Sequence, residues 1–270
     1  MSAQPAKRRP FVFFGLVFAF ATPFWVAGAL VRSPSGAPAG LPVSALQFTA
    51  PMLAALVLSA RKGGRPEVSD LLRRTVAVRG RRNALRIVGF ALVPVAVYGA
   101  SYAVMRATGR PLPDPEYALL SGLTLVALFV VSATAEEMGW SAYALEPLAK
   151  RYGWLAAALL IGVVWAAFHV VPDLQGGHDL QWIVAHRTSA TALRVVIVAA
   201  FLGTGGLVPA AIAVHAMDNI SWTALPVQGS SYDPWVTAPL MIVAAAGTWF
   251  VVSRTWRDRQ PRLLQGPSAE

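Results

Sequence analysis

Long apolar stretches separated by short polar ones run the length of this chain. A membrane span needs roughly 20 mostly apolar residues. Eight stretches reach or approach that length: 11–31, 41–60, 84–105, 117–148, 153–171, 190–203, 207–225 and 235–253. The sixth is short, and the fourth is long enough to be tilted or broken. The pattern predicts an all-α, polytopic integral membrane protein with about eight transmembrane helices. A membrane domain over residues 11–253 then lies between a short N-terminus, 1–10, and a basic, disordered tail, 254–270. Lys7, Arg8 and Arg9 precede the first apolar stretch, as in a signal peptide, and Ala27–Ala29 offers small residues for cleavage. The stretch is longer than a signal core and more spans follow, so it reads as an uncleaved first helix.

Composition agrees with that pattern. The chain of 270 residues is 56% hydrophobic and 13% charged, with mean hydropathy +0.53, values beyond those of a soluble domain. The net charge of +10 would suit nucleic acid, but its placement does not. Arg61, Lys62, Arg65, Arg73, Arg74, Arg79, Arg81, Arg82 and Arg86 fall between the second and third stretches. Arg254, Arg257, Arg259 and Arg262 follow the last one. With eight spans these clusters and the N-terminus share one side, which the positive-inside rule makes cytoplasmic. The expected location is the plasma membrane, with both termini cytoplasmic and the lipid bilayer, not nucleic acid, as partner. Residues 68–86 read either as a short interfacial helix on anionic lipid or as an ordinary basic loop. Residues 172–189 are polar and read as an external loop with a short helix around Trp182, leaving His178 and His186 solvated. There is no cysteine, so disulfides and thiolate metal ligands are excluded.

Three spans carry ionisable groups at depth: Glu136 and Glu137 on the fourth, His169 on the fifth, and His215 with Asp218 and Asn219 on the seventh. An intramembrane charge costs several kcal/mol and marks function by default. The fourth and fifth spans form a hairpin turning near residues 150–153. Glu136 lies roughly 21 Å before the turn and His169 roughly 25 Å after it, at the helical rise. His215 and Asn219 reach the same layer from the seventh span. Glu136 and Glu137 diverge by about 100° around their helix, so one of them faces a common centre. Glu137 shares a face with Ser141, and Trp165 with His169.

These residues resemble the motifs of the CPBP intramembrane proteases, the CAAX protease and bacteriocin-processing (Abi) family. Glu-Glu-x-x-x-Arg has its counterpart in Glu136-Glu137-Met138-Gly139-Trp140-Ser141. Phe-x-x-x-His has its counterpart in Trp165-Ala166-Ala167-Phe168-His169, and His-x-x-x-Asn is met in full by His215-Ala216-Met217-Asp218-Asn219. The resemblance covers residues 117–225. Two positions depart from it: Trp165 stands for the motif Phe, and Ser141 for the motif Arg. An Arg there would pair with the second Glu one turn away. Without it Glu137 is expected to be partly protonated, because desolvation raises a carboxyl pKa, unless Arg106 or Arg194 compensates.

The resemblance implies an intramembrane peptidase acting on prenylated C-terminal peptides, bacteriocin leaders or membrane-bound regulators. Glu136 is then the general base toward a water, with His169 holding that water. His215 and Asn219 supply donors to the oxyanion, Glu137 supports Glu136, and Asp218 orients His215. No cofactor is required on this reading. A metalloprotease reading places Zn²⁺ on Glu136, His169 and His215, although no His-Glu-x-x-His motif is present. Two further classes remain open: a non-catalytic, degenerate scaffold, favoured by Ser141, and a proton or ion carrier. The carrier needs a polar path through both leaflets, and spans one, two and eight contain no ionisable residue.

Overall fold

The computed structural model describes residues 8–31, 41–113, 119–224, 229 and 231–257. The predicted disordered tail lies largely outside these residues, as do Lys7 and the first predicted interhelical loop. Among the described residues every regular element is helical and no strand occurs. The protein is a polytopic all-α membrane protein.

The chain forms α1 (Pro10–Leu30), a 3₁₀ turn (Val43–Phe48), α2 (Thr49–Val76) and α3 (Arg81–Ala107). Then come α4 (Leu119–Glu137), a π-helical segment (Met138–Leu145) and α5 (Glu146–Tyr152), stacked end to end as one crossing. α6 (Trp154–Gln175), α7 (Leu180–Gly203), α8 (Val208–Ala224) and α9 (Pro234–Arg257) complete the bundle. Seven stretches are long and apolar enough to cross a bilayer. α8, with 17 residues, is the short eighth.

Burial shows which faces meet lipid. On α3, Leu85, Val88, Leu92 and Val95 are exposed at helical spacing, as are Val243, Phe250 and Val251 on α9. Such continuous apolar exposure suits hydrocarbon as the solvent. α7 is the most buried crossing, packed against α6, α8 and α9. Every residue from Ala192 to Leu202 is buried, which explains why a wholly apolar face is not confined to one side of this helix.

Two expectations change here. The polar stretch 172–189 is mostly helix. α6 runs to Gln175, and α7 starts at Leu180 behind an N-cap in which the Asp179 carboxylate accepts from the Trp182 amide at 2.8 Å. Asp173, Gln175, His186, Arg187 and Ser189 turn toward the protein, while His178, Asp179, Gln181 and Thr188 stay exposed; the apolar-run criterion cannot detect such a helix. The basic stretch 68–86 is likewise split. α2 breaks at Gly63–Gly64, where Gly64 adopts φ 64°, and continues to Val76. Four residues, 77–80, separate it from α3.

Candidate active site

The acidic pair stands where α4 passes into the π segment. A π turn adds a residue to the turn and is found mostly at functional sites. All eight of its residues are buried. α1 covers it, with Phe13 edge-on to Trp140 at 5.3 Å and close to Tyr143 at 5.4 Å. α2 covers the other side. A Cβ on Gly139 would stand 2.6 Å from the Pro51 carbonyl oxygen, so only glycine admits this approach.

Glu137 points away from open space and is fully buried. Arg194 Nη1, on α7, donates to both of its oxygens at 2.8 Å. Ser141 Oγ donates to Oε2 from one turn along. His215 Nδ1, on α8, donates to Oε1 at 2.9 Å. Arg194 is itself 1% exposed, and its guanidinium lies over the Trp165 ring, 4.3 Å from the centroid. Its Nε and Nη2 have no hydrogen-bond partner among the described residues, and the ring face balances that side of the cation. Gly162 gives α7 the room to approach, since a Cβ there would meet the Arg194 Cβ at 3.2 Å. The expectation of a partly protonated Glu137 is therefore overturned. Its surroundings are those of a carboxylate balanced by a guanidinium. Arg106, the other proposed source, instead donates to the Leu112 carbonyl at 3.4 Å.

Glu136 faces a cavity of about 450 Å³ that also reaches Trp165, His169, His215 and Asn219. Trp165 Nε1 donates to its Oε2 at 2.7 Å and Trp140 Nε1 at 3.3 Å. Its Oε1 lies 3.9 Å from His169 Nε2. His169 Nδ1 is 2.9 Å from the Trp165 carbonyl oxygen. That oxygen can only accept, so Nδ1 carries the proton and Nε2 presents a lone pair toward Glu136. Two acceptors, Oε1 and Nε2, thus face each other beyond hydrogen-bond distance.

A model of the type II CAAX prenyl endopeptidase Rce1-like family matches residues 118–221, the stretch that contributes all of these side chains. Over that stretch the chain is similar to the CAAX protease (CPBP) family. It is also similar to CAAX prenyl protease 2 of Methanococcus maripaludis, at 40% identity over 42 residues. That match covers 16% of this chain and 16% of the relative. Within the matched stretch, both departures from the motif pattern fall on one contact. Ser141 leaves the space beside Glu137 that Arg194 fills, and Trp165 supplies both the ring under Arg194 and the indole N–H on Glu136.

The matched stretch brings Glu136, His169, His215 and Asn219 to one cavity, with Asp218 and Trp165 in its wall. Glu137 and Ser141 lie behind that wall. Asp218 does not supply the hydrogen bond at His215 Nδ1, which Glu137 takes. Trp140 was missing from the residues assigned to the site from sequence, and Arg194 was named only as one of two possible counter-charges to Glu137, although an arginine inside an apolar stretch is itself a signal. His186 is not free in solvent: its Nδ1 is 2.8 Å from the Tyr232 hydroxyl. His178 stacks on Trp182 at 3.5 Å. Burial pushes its proton affinity down, and the Arg187 charge adds to this. Both histidines line the outer part of the same cavity.

Among the described residues no three His, Asp or Glu side chains converge as a metal-binding group. Both imidazole Nδ1 atoms are taken by protein acceptors, which leaves each Nε2 free, as it is in histidines that ligate metals.

Proposed function

We propose that this protein is an intramembrane endopeptidase of the CAAX-protease type that hydrolyses a peptide bond with a water activated by Glu136 and His169. The observation that carries this reading is the pair of acceptors 3.9 Å apart, Glu136 Oε1 and His169 Nε2, on the wall of a cavity inside the bundle. One water bridges such a pair by donating a hydrogen to each, and its lone pairs then face the cavity.

Glu136 takes a proton from that water as it adds to the scissile carbonyl. Trp140 and Trp165 hold the other carboxylate oxygen, so the basic Oε1 is fixed in direction. The oxyanion accepts from His215 Nε2–H and from the Asn219 amide, one helical turn apart on α8. Glu137 receives the His215 Nδ1–H, which orients the ring and supports its imidazolium form. Arg194 balances Glu137, so that this support costs no uncompensated charge. Collapse of the adduct breaks the C–N bond, and Glu136 returns its proton to the leaving amine. No step is routed through a metal, and no cofactor is required.

The substrate is a peptide or membrane protein reaching the cavity from the bilayer. Prenylated C-terminal peptides, the class in the Methanococcus relative's name, stand beside bacteriocin leaders and membrane-bound regulators. The enzyme resides in the plasma membrane with both termini in the cytoplasm, on the strength of its basic clusters. The degenerate-scaffold reading rested on Ser141, and Arg194 removes its basis.

The test uses full-length protein in proteoliposomes with pools of prenylated and unprenylated peptides, and mass spectrometry of products. Cleavage by the native protein that Glu136→Gln abolishes supports the proposal. Equal product from both proteins ends it.

A further inference from the structure

The cavity does not stop at the proposed catalytic groups. Its outer half contains a carboxylate that the reaction above does not use. Asp218 is 8% exposed, and among the described residues its Oδ1 has no hydrogen-bond partner. An unpartnered buried carboxylate oxygen is costly and calls for an explanation. It lies three residues beyond His215 on α8, roughly 4.5 Å further along the axis.

The charges around it are unequal. Four carboxylates line or back this cavity. Glu137 is paired with Arg194 and Asp173 with Arg187, the latter at 2.8 Å. Glu136 belongs to the catalytic layer. Among the described residues Asp218 makes no ion pair. Arg187, the guanidinium in the outer half, is held by Asp173 through Nε and through Nη2 at 3.2 Å. The wall beside Asp218 is aromatic: the Tyr232 ring lies 5.7 Å from Tyr98 and 6.1 Å from Trp222. All three rings line the cavity with Asp218. Tyr98 hydrogen-bonds this carboxylate, and His215 and Arg187 are charges near it, but neither pairs with it among the described residues; its open Oδ1, framed by π faces, suits a cation.

We propose that Asp218, with Tyr98, Trp222 and Tyr232, forms a subsite for a basic side chain, lysine or arginine, of the peptide substrate. It rests on the endopeptidase reading for its place in a reaction, and it makes the substrate basic within about two residues of the scissile bond, given roughly 3.3 Å per extended residue. The residue acts in specificity and not in the chemical step.

Binding is measured separately from cleavage. Full-length protein in nanodiscs is titrated with Nα-acetyl-arginine amide, Nα-acetyl-lysine amide, Nα-acetyl-norleucine amide and Nα-acetyl-glutamate amide, following intrinsic tryptophan fluorescence. The cationic amides bind at least tenfold tighter than norleucine amide, and glutamate amide binds weakest. Asp218→Asn removes that preference, and Glu136→Gln, which blocks hydrolysis, keeps it. Equal affinity for arginine and norleucine amides in the native protein overturns the subsite, whether or not the variant folds. Cation selectivity that persists in a protein cleaving no peptide would retain the subsite while ending the endopeptidase reading. Cleavage indifferent to a basic residue and to Asp218→Asn would do the reverse.

Discussion

Replacing Arg194 by alanine leaves Glu137 as a buried carboxylate with no cation. The pair is 1% and 0% exposed, with Nη1 at 2.8 Å from both carboxylate oxygens. At an effective dielectric near 20 its attraction is about 4–6 kcal/mol, depending on how far the charge is spread. Breaking such a pair by removing one partner typically costs about 3–5 kcal/mol. The Trp165 ring also loses the cation stacked on it. The apparent melting temperature in detergent is therefore expected to fall by roughly 10 °C. Arg194→Ala with Glu137→Gln is expected to be milder than Arg194→Ala alone, because the stranded charge is gone. Adding Ser141→Arg to Arg194→Ala restores a guanidinium one turn from Glu137 and recovers at least half of the loss. An Arg194→Ala protein that melts within 2 °C of native would refute the claim that this guanidinium balances Glu137.

Other outcomes follow from the same geometry. Trp165→Phe keeps a ring under Arg194 but removes the 2.7 Å indole donor to Glu136; peptide turnover should drop about tenfold to a hundredfold with the melting temperature nearly unchanged, and full activity would show that this donor is idle. Gly139→Ala drives a methyl against the Pro51 carbonyl, so thermal stability should fall by about 1–3 kcal/mol and turnover with it; an unchanged melt would mean that α2 and the π segment separate freely. Treatment with a strong chelator should leave the hydrolysis rate at its untreated value, and a loss reversed by added Zn²⁺ would move the reaction to a metal centre.

Much of this arrangement was legible in the sequence, and the reason is depth. Helical rise converts residue number into position across the membrane, so Glu136, His169 and His215 could be placed in one layer from spacing alone. The order of apolar stretches gave the crossings for the same reason. Partners around the helix axis were not legible. Which side of α7 faces Glu137 depends on packing against α6 and α9, so Arg194 could be named only as one of two candidates. The first half of α7 was hidden by its polarity. His186 and Arg187 are tolerated in a helix because Tyr232 and Asp173 receive them, and those contacts come from distant segments. The π segment has no sequence signature of its own; Gly139 and the break in apolar spacing after Glu137 are its traces.

The central claim is that Glu136 and His169 act on the same water, and a double-mutant kinetic cycle tests it most directly. Peptide cleavage is compared for the native protein, Glu136→Gln, His169→Ala and the combination. Groups serving one water lose their effect together, so the double variant should be about as slow as Glu136→Gln alone. Rate losses that multiply across the two substitutions would contradict the account.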